Sequence, residues 1–508
     1  MRKILFHNAQ VLTQDKLHPQ ASAFIVENGR FMAVGGDELI AIEAEQRIDL
    51  NQAFVLPGYH DAHIHIWKVG NLLTHMLDLR GVCSIEEMQQ KLLEYSRAHP
   101  ELSWIQARGF NEADFPEKRM PDRLDLDAVI ANRPVVVTRT CAHQIIVNST
   151  ALQVAQIHKN TPVPAGGEIK YLPDGSLAGH FTETAIGLIL SKIPKYTAGE
   201  LRMMVNAAQD AFLKMGITSA TDPAVDQDLL QVYRDMERNG ELQIRVHAIP
   251  IRVPDGANTA YPNPERFDAD FLKVHTVKFF ADGGLSGKTA AVSRPYMHTG
   301  DTGVLRLTFE NYYKWARESQ EAGLMIATHA IGDAAIDLVM RVYGKIFDGT
   351  RHRIEHLGLP SDAHLEQMQR LHISAVMQPI FIRELGKNFA EALEPDRLEQ
   401  LYPCRKVLDK NVNLALSTDA PVVRAIDPAL NILSAMDRTD AGGTKIGAGQ
   451  GISLREAQFA YTMGSAIASA TEESIGSISA GKSADFQILR SELALRPESV
   501  YVAGRLIS

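Results

Sequence analysis

Two histidines, His63 and His65, stand one residue apart in the segment FVLPGYHDAHIHIW and could bind a metal ion. The residues before them are apolar and strand-like. Side chains on a strand repeat with a period of two, so both imidazoles would point the same way. Two neutral imidazoles suit a borderline-soft divalent ion such as zinc. The alternative is that one histidine is a packed core residue and the other lies at the surface.

Four more residues that could ligate a metal or transfer a proton follow short apolar segments further along the chain. They are Lys278 in VKFFADG, His329 in ATHAIGD, His356 in RIEHL and Asp419 in LSTDAP. Each stands where a predicted strand changes from apolar to polar residues. Because the carboxyl ends of the strands of a parallel barrel meet at one face, these side chains and the histidine pair should converge. Their convergence predicts a catalytic metal site.

The segments that carry these residues alternate with helical stretches, which indicates βα units and a parallel sheet. The strands predicted after residue 215 are GITSATD, LQIRVHAIP, HTVKFFADG, GLMIATHAIG, HRIEHLG, ISAVMQP and NLALSTDAP. With the strand before His63 they make the eight strands of an α/β fold, a (β/α)8 TIM barrel. A doubly wound sheet is the alternative, but it rarely places reactive residues at the ends of so many consecutive strands.

Two further regions do not follow this alternation of strands and helices. Both ends of the chain read as short strands, which predicts a small β-sandwich domain built from residues 1–54 and 475–508. A long interval follows the first barrel strand, far beyond a normal βα connection, and it contains its own helices and a strand. We therefore predict an inserted subdomain at 68–200, acting as a lid over the barrel mouth, and a barrel formed by 55–67 and 201–474.

Composition limits the class of protein. A net charge of −9 argues against a nucleic-acid partner, which usually leaves a basic footprint. The chain of 508 residues has no long apolar run, and its first residues lack the apolar core of a signal peptide. The three cysteines, Cys83, Cys141 and Cys404, are widely spaced and suggest reduced thiols. We expect a cytoplasmic protein with a small-molecule substrate and no membrane partner. The sequence leaves open whether the protein forms a homodimer.

Several segments together resemble the amidohydrolase superfamily, and within it amidohydrolase family 3, the YtcJ-like metal-dependent hydrolases near N-substituted formamide deformylase. The matching segments are LPGYHDAHIHI, VKFFADGGLSGKTAA, THAIGDAAID, RIEHL, STDAPV and IGSISAGKSADFQIL. The resemblance runs nearly from end to end. It implies the barrel together with a β-sandwich built from both ends.

The same resemblance implies a two-metal site, most simply two Zn²⁺ per chain. His63 and His65 would bind the first metal, and His329 and His356 the second. Lys278 stands where many binuclear relatives have an N6-carboxylated lysine that bridges both ions. Asp419 would ligate the first metal and act as general acid and base. The alternative for Lys278 is a salt bridge to Asp282 and a single-metal site.

The implied reaction is hydrolysis of a C–N bond, of amide type, in a small molecule. A metal-activated hydroxide would attack the carbonyl carbon, and Asp419 would pass the proton to the leaving nitrogen. A mononuclear deaminase of the same superfamily is the first alternative, and a lactonase or esterase the second. A non-catalytic scaffold is a third, which the full set of ligand types disfavours.

The remaining candidates concern the substrate. The residues expected near it are His143, Glu183, Lys288, Tyr296, Phe381 and Arg383. Lys288 stands where similar proteins more often have an arginine, which weakens any inference from it about the substrate. Glu355 precedes His356 and would point to the opposite face if the strand persists, so we expect a structural role. His60 and His247 do not stand at strand ends and are also expected to be structural.

Overall fold

The computed structural model describes residues 3–140, 144–164, 167–254 and 259–507. Its strands, in chain order, are β1 Ile4–His7, β2 Gln10–Leu12, β3 Gln20–Ala21, β4 Ala23–Glu27, β5 Arg30–Gly35, β6 Gln46–Asp49, β7 Phe54–Pro57, β8 Tyr59–Asp61, β9 Met76–Asp78, β10 Ile105–Phe110, β11 Val135–Arg139, β12 Gln144–Val147, β13 Gly167–Tyr171, β14 Leu177–Glu183, β15 Ile217–Val225, β16 Arg245–Pro250, β17 Phe267–Asp268, β18 Leu272–Val274, β19 Thr276–Phe280, β20 Met325–Ala330, β21 Arg353–His356, β22 Ser374–Met377, β23 Leu414–Leu416, β24 Phe486–Leu489, β25 Ser499–Val502 and β26 Arg505–Leu506.

The α-helices are α1 Ile66–Thr74, α2 Ile85–Ala98, α3 Arg123–Asp127, α4 Ser149–Val154, α5 Gly187–Leu190, α6 Ala198–Leu213, α7 Gln227–Asn239, α8 Phe309–Glu321, α9 Asp333–Ile346, α10 Asp362–Arg370, α11 Ile380–Ala392, α12 Pro395–Leu398, α13 Cys404–Asp409, α14 Pro428–Asp437, α15 Leu454–Phe459 and α16 Ser465–Ala468. Several begin at a side chain that accepts a backbone N–H: Asp226 precedes α7, Thr308 precedes α8 and Ser361 precedes α10. No helix among the described residues is both long and apolar enough to span a membrane.

The two ends of the chain form two sheets. One has the order β5-β4-β1-β6, and the other has the order β26-β25-β24-β7-β2-β3. The second sheet contains strands from both ends, because β24 pairs antiparallel with β7. Phe6 of β1 lies 5.2 Å from Phe486 of β24, ring centroid to centroid, so aromatic side chains fill the space between the sheets. Strand β7 spans Phe54–Pro57, so the boundary predicted after residue 54 falls within this strand.

The middle of the chain supplies two parallel series of strands. One sheet has the order β17-β18-β16-β15-β8 and the other β19-β20-β21-β22-β23, and of these only β17 runs antiparallel to its neighbour. Helices α7 to α10 lie between successive strands, as the sequence pattern predicts. Arg252 N–H bonds to the Lys278 carbonyl (2.9 Å) and Asp419 N–H to the His63 carbonyl (2.8 Å), which joins the two series at both ends. A (β/α)8 barrel requires such cyclic pairing.

The chain folds as two compact units. The first comprises Met1–Ile66 and Gln209–Ser508, and the second is Trp67–Ala208. The second unit contains a six-stranded sheet of order β13-β14-β12-β11-β10-β9 with its own buried apolar cores. Its bounds are close to the predicted insertion at 68–200, and they differ mainly because α6 continues to Leu213.

Candidate metal centre

The six side chains predicted to form the site border one cavity of the first unit. His63 and His65 follow β8, Lys278 lies in β19, and His329 and His356 lie near the ends of β20 and β21. Asp419 follows β23. Five of these side chains lie near or just after the carboxyl end of a strand, whereas Lys278 lies in the middle of β19. Parallel strands bring their carboxyl ends to the same side.

Carboxylates orient the first histidine pair. The Nδ1 atom of His63 donates a hydrogen bond to Glu355, and Nδ1 of His65 lies 4.0 Å from Asp222 Oδ1. The opposite ring atoms face Asp419: its Oδ1 lies 3.4 Å from His63 Nε2 and 3.3 Å from His65 Nε2. A carboxylate on one imidazole nitrogen fixes the tautomer and leaves the other nitrogen for a metal.

The second pair is oriented by neutral acceptors. His356 Nδ1 donates to Gln378 Oε1 at 2.8 Å, which leaves its Nε2 for a ligand. His329 Nε2 donates to the Gly283 carbonyl at 3.0 Å and lies 3.4 Å from Asp282 Oδ1. The two rings are 4.5 Å apart, centroid to centroid.

The donor set fits a divalent metal ion. Ligand atoms of His63, His356 and Asp419 all lie within 4.8 Å of one another. Imidazole nitrogens with a carboxylate are the usual ligands of catalytic zinc. His63 was predicted as a ligand of the first metal and His356 as a ligand of the second, so residues of both predicted sets lie in one cluster.

Lys278 is the buried cation of this cluster. Its side chain is 1% exposed, and no described residue accepts a hydrogen bond from Nζ. Burial lowers the pKa of Lys278 from 10.5 to about 8, although the carboxylates of Glu355 and Asp419 oppose this shift. A buried amine without an acceptor is costly in the bare protein, and a ligand at the site would relieve that cost.

The expected alternative partner of this lysine is occupied elsewhere. The Asp282 carboxylate accepts the backbone N–H groups of Ala291 (3.0 Å), Ile331 (3.1 Å) and Gly332 (2.8 Å). A Lys278–Asp282 salt bridge is therefore not formed in this structure. Asp282 instead holds the loop after β19 against the start of α9.

Asp61 fixes the position of Asp419. The Asp61 carboxylate accepts the N–H of His63 (3.1 Å) and both the N–H (3.1 Å) and the hydroxyl (2.8 Å) of Thr418. Burial raises the pKa of Asp61 to about 7, although these hydrogen bonds oppose the shift. Asp61 thus ties the end of β8 to the residue before Asp419.

Two candidate ligands have a strained backbone. The φ angle is +73° at His356 and +57° at Asp419, in the left-handed region that residues with a side chain rarely adopt. Such strain persists where surrounding contacts impose it, and it clusters at functional sites.

The two carboxylates of the cluster remain ionised. Burial alone would raise the pKa of Asp419, but His63 above all, with His65 and His356, holds it well below the usual value. Burial likewise opposes ionisation of Glu355, and Arg353 followed by His63 keeps its pKa well below the usual value. An ionised Asp419 can accept a proton.

The cavity has a volume of about 220 Å³ and is largely apolar away from the metal-binding cluster. The side chains that form its apolar wall are Phe280, Leu285, Ile331, Phe381, Leu385 and Phe389. Tyr402 and Val422 complete this side.

Three of the predicted substrate residues in the first unit do not line this cavity. Tyr296 donates its hydroxyl to the Ala290 carbonyl (2.7 Å), Arg383 is exposed, and Lys288 is half-buried; none of the three lines the cavity. Glu183 is an exposed residue of the second unit. His143 lies outside the described residues, whereas Phe381 does line the cavity.

Several supporting residues were not predicted. Asp222 ends the strand GITSATD, so the strand-end rule could have found it. Gln378 likewise stands where the apolar run of ISAVMQP ends, directly after β22. Glu355 was expected to point away from the site, but it contacts His63. The positive φ of His356 ends the regular alternation on which that expectation depended. Tyr402 lies in a connection between helices, where no pattern marks it.

A family model described as "Amidohydrolase family" matches residues 46–507. The chain belongs to the amidohydrolase family. This confirms the resemblance seen in the sequence motifs and implies a TIM-barrel-type fold.

The relatives of this amidohydrolase agree with the family assignment. This chain is 29% identical to YtcJ of Bacillus subtilis, a protein named as an amidohydrolase. The alignment covers 98% of this chain and 97% of that protein. N-substituted formamide deformylase of Arthrobacter pascens is 25% identical over 96% of this chain and 93% of its own length.

Solved structures give the same result. An uncharacterized metal-dependent hydrolase from Pyrococcus horikoshii matches with a TM-score of 0.82 and 25% identity, and the match covers 100% of both chains. This amidohydrolase is therefore a metal-dependent hydrolase, and it carries a candidate metal-binding cluster of histidine and aspartate.

Proposed function

We propose that this amidohydrolase cleaves a C–N bond of amide type in a small molecule, using two Zn²⁺ ions and Asp419 as general acid and base. The observation that carries the proposal is the position of Asp419, whose carboxylate oxygen lies within 3.4 Å of both His63 Nε2 and His65 Nε2. The name of the Arthrobacter relative, N-substituted formamide deformylase, supports a C–N bond.

In this proposal His63, His65 and Asp419 would hold the first metal, and His329 and His356 the second. Lys278, carboxylated on Nζ, would supply a further anionic ligand. The lowered pKa of Lys278 supports this, because only a neutral amine adds CO₂, forming an N–C bond and releasing one proton. Metal ions bound here would supply a water of lowered pKa and a Lewis acid for the carbonyl oxygen.

The chain's own residues carry the proton. Asp419 is ionised and accepts a proton from the attacking water, then donates it to the leaving nitrogen as the C–N bond breaks. Glu355 and Asp222 keep the Nε2 atoms of His63 and His65 towards Asp419. We further propose that the parallel strands close into a (β/α)8 barrel beside a β-sandwich built from both chain ends, with β18 and β19, which only His275 separates, counted as one of the eight barrel strands.

The experiment is a substrate screen with the purified, zinc-loaded protein. N-acyl amino acids, formamides, cyclic ureas and lactones are compared, release of amine or ammonia is measured, and bound metal is counted by mass spectrometry. We expect amide hydrolysis with close to two zinc ions per chain, and loss of turnover in Asp419→Asn with an unchanged circular dichroism spectrum. Ammonia release from heterocycles with one metal per chain would instead support the deaminase, and full activity in Asp419→Asn would contradict the proposed mechanism.

A further inference from the structure

Tyr402 is a buried tyrosine whose hydroxyl has no hydrogen-bond partner among the described residues. Two other buried tyrosines do have partners: Tyr233 donates to Asp222 Oδ2 (2.6 Å), and Tyr296 donates to the Ala290 carbonyl (2.7 Å). Tyr402 is 1% exposed, yet its hydroxyl makes no hydrogen bond with any described residue. Because buried tyrosine hydroxyls usually find a partner, this one is available to a ligand.

The protein holds the Tyr402 ring rigidly. Its backbone N–H donates to the Gly358 carbonyl (2.8 Å), and its carbonyl accepts Arg438 Nη1 (2.9 Å). The ring lies 5.8 Å from both the Phe381 and the Phe389 rings, centroid to centroid. Packing rather than a hydrogen bond therefore sets the direction of the hydroxyl, which is the arrangement of a preorganised donor.

Tyr402 belongs to the cavity of the metal centre. Tyr402 lines this cavity together with the candidate ligands His63, His356 and Asp419. Burial raises the pKa of Tyr402, and the carboxylates of Asp282 and Asp419 raise it further. The group thus stays protonated and can donate a hydrogen bond at neutral pH.

The charge of the cavity wall limits what can bind. Apart from Tyr402, every ionisable side chain among the described residues that line the cavity belongs to the predicted metal cluster. Lys278 is the lysine of this cluster, and Asp419 is its carboxylate. The other side is formed by Phe381, Leu385, Phe389 and similar apolar groups. A charged substituent placed against this wall would lose its hydration without gaining an ion pair.

We propose that Tyr402 is a substrate-binding residue that donates its hydroxyl hydrogen to the carbonyl oxygen of an uncharged amide. The apolar substituent of that amide packs against Phe381, Leu385 and Phe389. This inference rests on the proposed function for the identity of the bond cleaved, but binding and its dependence on Tyr402 are measured without turnover.

The test compares Tyr402→Phe with Tyr59→Phe. Tyr59 also has a buried hydroxyl without a hydrogen-bond partner among the described residues, but it does not line the cavity, so it is a matched control. The probes are acetanilide and 4-acetamidobenzoate, which differ by one carboxylate. Binding to the Asp419→Asn protein is measured by titration calorimetry, with and without each tyrosine substitution, after mass spectrometry has shown that every variant compared holds the same amount of zinc.

We expect acetanilide to bind at least about tenfold more tightly than 4-acetamidobenzoate, and Tyr402→Phe to weaken acetanilide about tenfold. Tyr59→Phe should leave affinity unchanged, and neither substitution should lower the melting temperature. Equal affinity in Tyr402→Phe, equal binding of the two probes, or no binding of acetanilide would each overturn the inference. If acetanilide binds through Tyr402 but is not hydrolysed by the unsubstituted protein, the inference stands and the proposed reaction fails.

Discussion

His60 and His63 belong to the same short segment, yet their side chains have different surroundings. His63 contacts Glu355 through Nδ1 and lies 3.4 Å from Asp419 through Nε2. His60 is equally buried, but its Nε2 forms a hydrogen bond of 3.0 Å with the Thr221 hydroxyl. One imidazole lies between two carboxylates, whereas the other has a neutral partner.

The same contrast extends to the neighbours of His60. His247 Nε2 bonds to the Thr276 hydroxyl at 3.1 Å, and its ring lies 4.4 Å from the ring of His275, centroid to centroid. Burial lowers the pKa of His60 to about 3 and that of His275 to about 4. These imidazoles are neutral packing residues. Burial of several histidines is therefore not enough for a metal site; a carboxylate such as Asp419 must lie among them to balance the charge of the ion.

The largest expected effect comes from replacing His63 of the metal cluster and comparing the result with the same replacement at His60, one of the neutral packing histidines. His63→Asn should lose zinc and lower kcat/KM by more than the roughly 10–100-fold that is typical of removing an outer partner of a ligand. His60→Asn should keep both zinc and activity. Metal content after dialysis and steady-state kinetics check this, with thermal melts to establish folding. Equal zinc retention in the two variants would remove the distinction between the groups.

Lys278 allows a test that needs no substrate. In the metal-free protein its pKa falls from 10.5 to about 8, so the unfolded chain binds more protons between these pH values and stability rises with pH across them. Lys278→Met removes the penalty and should increase the free energy of unfolding by up to about 3 kcal/mol at pH 7. The gain should vanish above about pH 10.5.

Urea unfolding at several pH values in the presence of a chelator measures this gain. The same substitution at Lys314, an exposed residue of α8, is the control and should show no such pH dependence. A destabilised Lys278→Met protein at pH 7 would mean that the amine has a stabilising partner.

The smallest effect compares two adjacent residues of β15. Asp222 faces His65 Nδ1 at 4.0 Å, and Thr221 bonds to His60. Asp222→Asn should weaken zinc binding about tenfold, because His65 loses the charge that orients it. Thr221→Val should leave zinc affinity unchanged. Competition with a chromophoric chelator gives both affinities, and an equal loss in the two variants would assign the effect to general loosening of β15.

Apolar runs that stop at a polar residue mark the same edge of a parallel sheet, which is why the sequence could point to these candidate residues. The structure brings all six of those side chains to one cavity. Period-two alternation failed for Glu355, since the positive φ of His356 interrupts the strand geometry. The position of Tyr402 depends on Gly358 and Arg438, which are distant in sequence, so no local pattern could reveal it.

The most direct measurement is a crystal structure of the zinc-loaded protein with anomalous diffraction recorded on both sides of the zinc edge. We expect two anomalous peaks within reach of the side chains of His63, His65, His329, His356 and Asp419, with additional density on Nζ of Lys278. A peak beside His60 and His247, or none at the Asp419 carboxylate, would contradict the account.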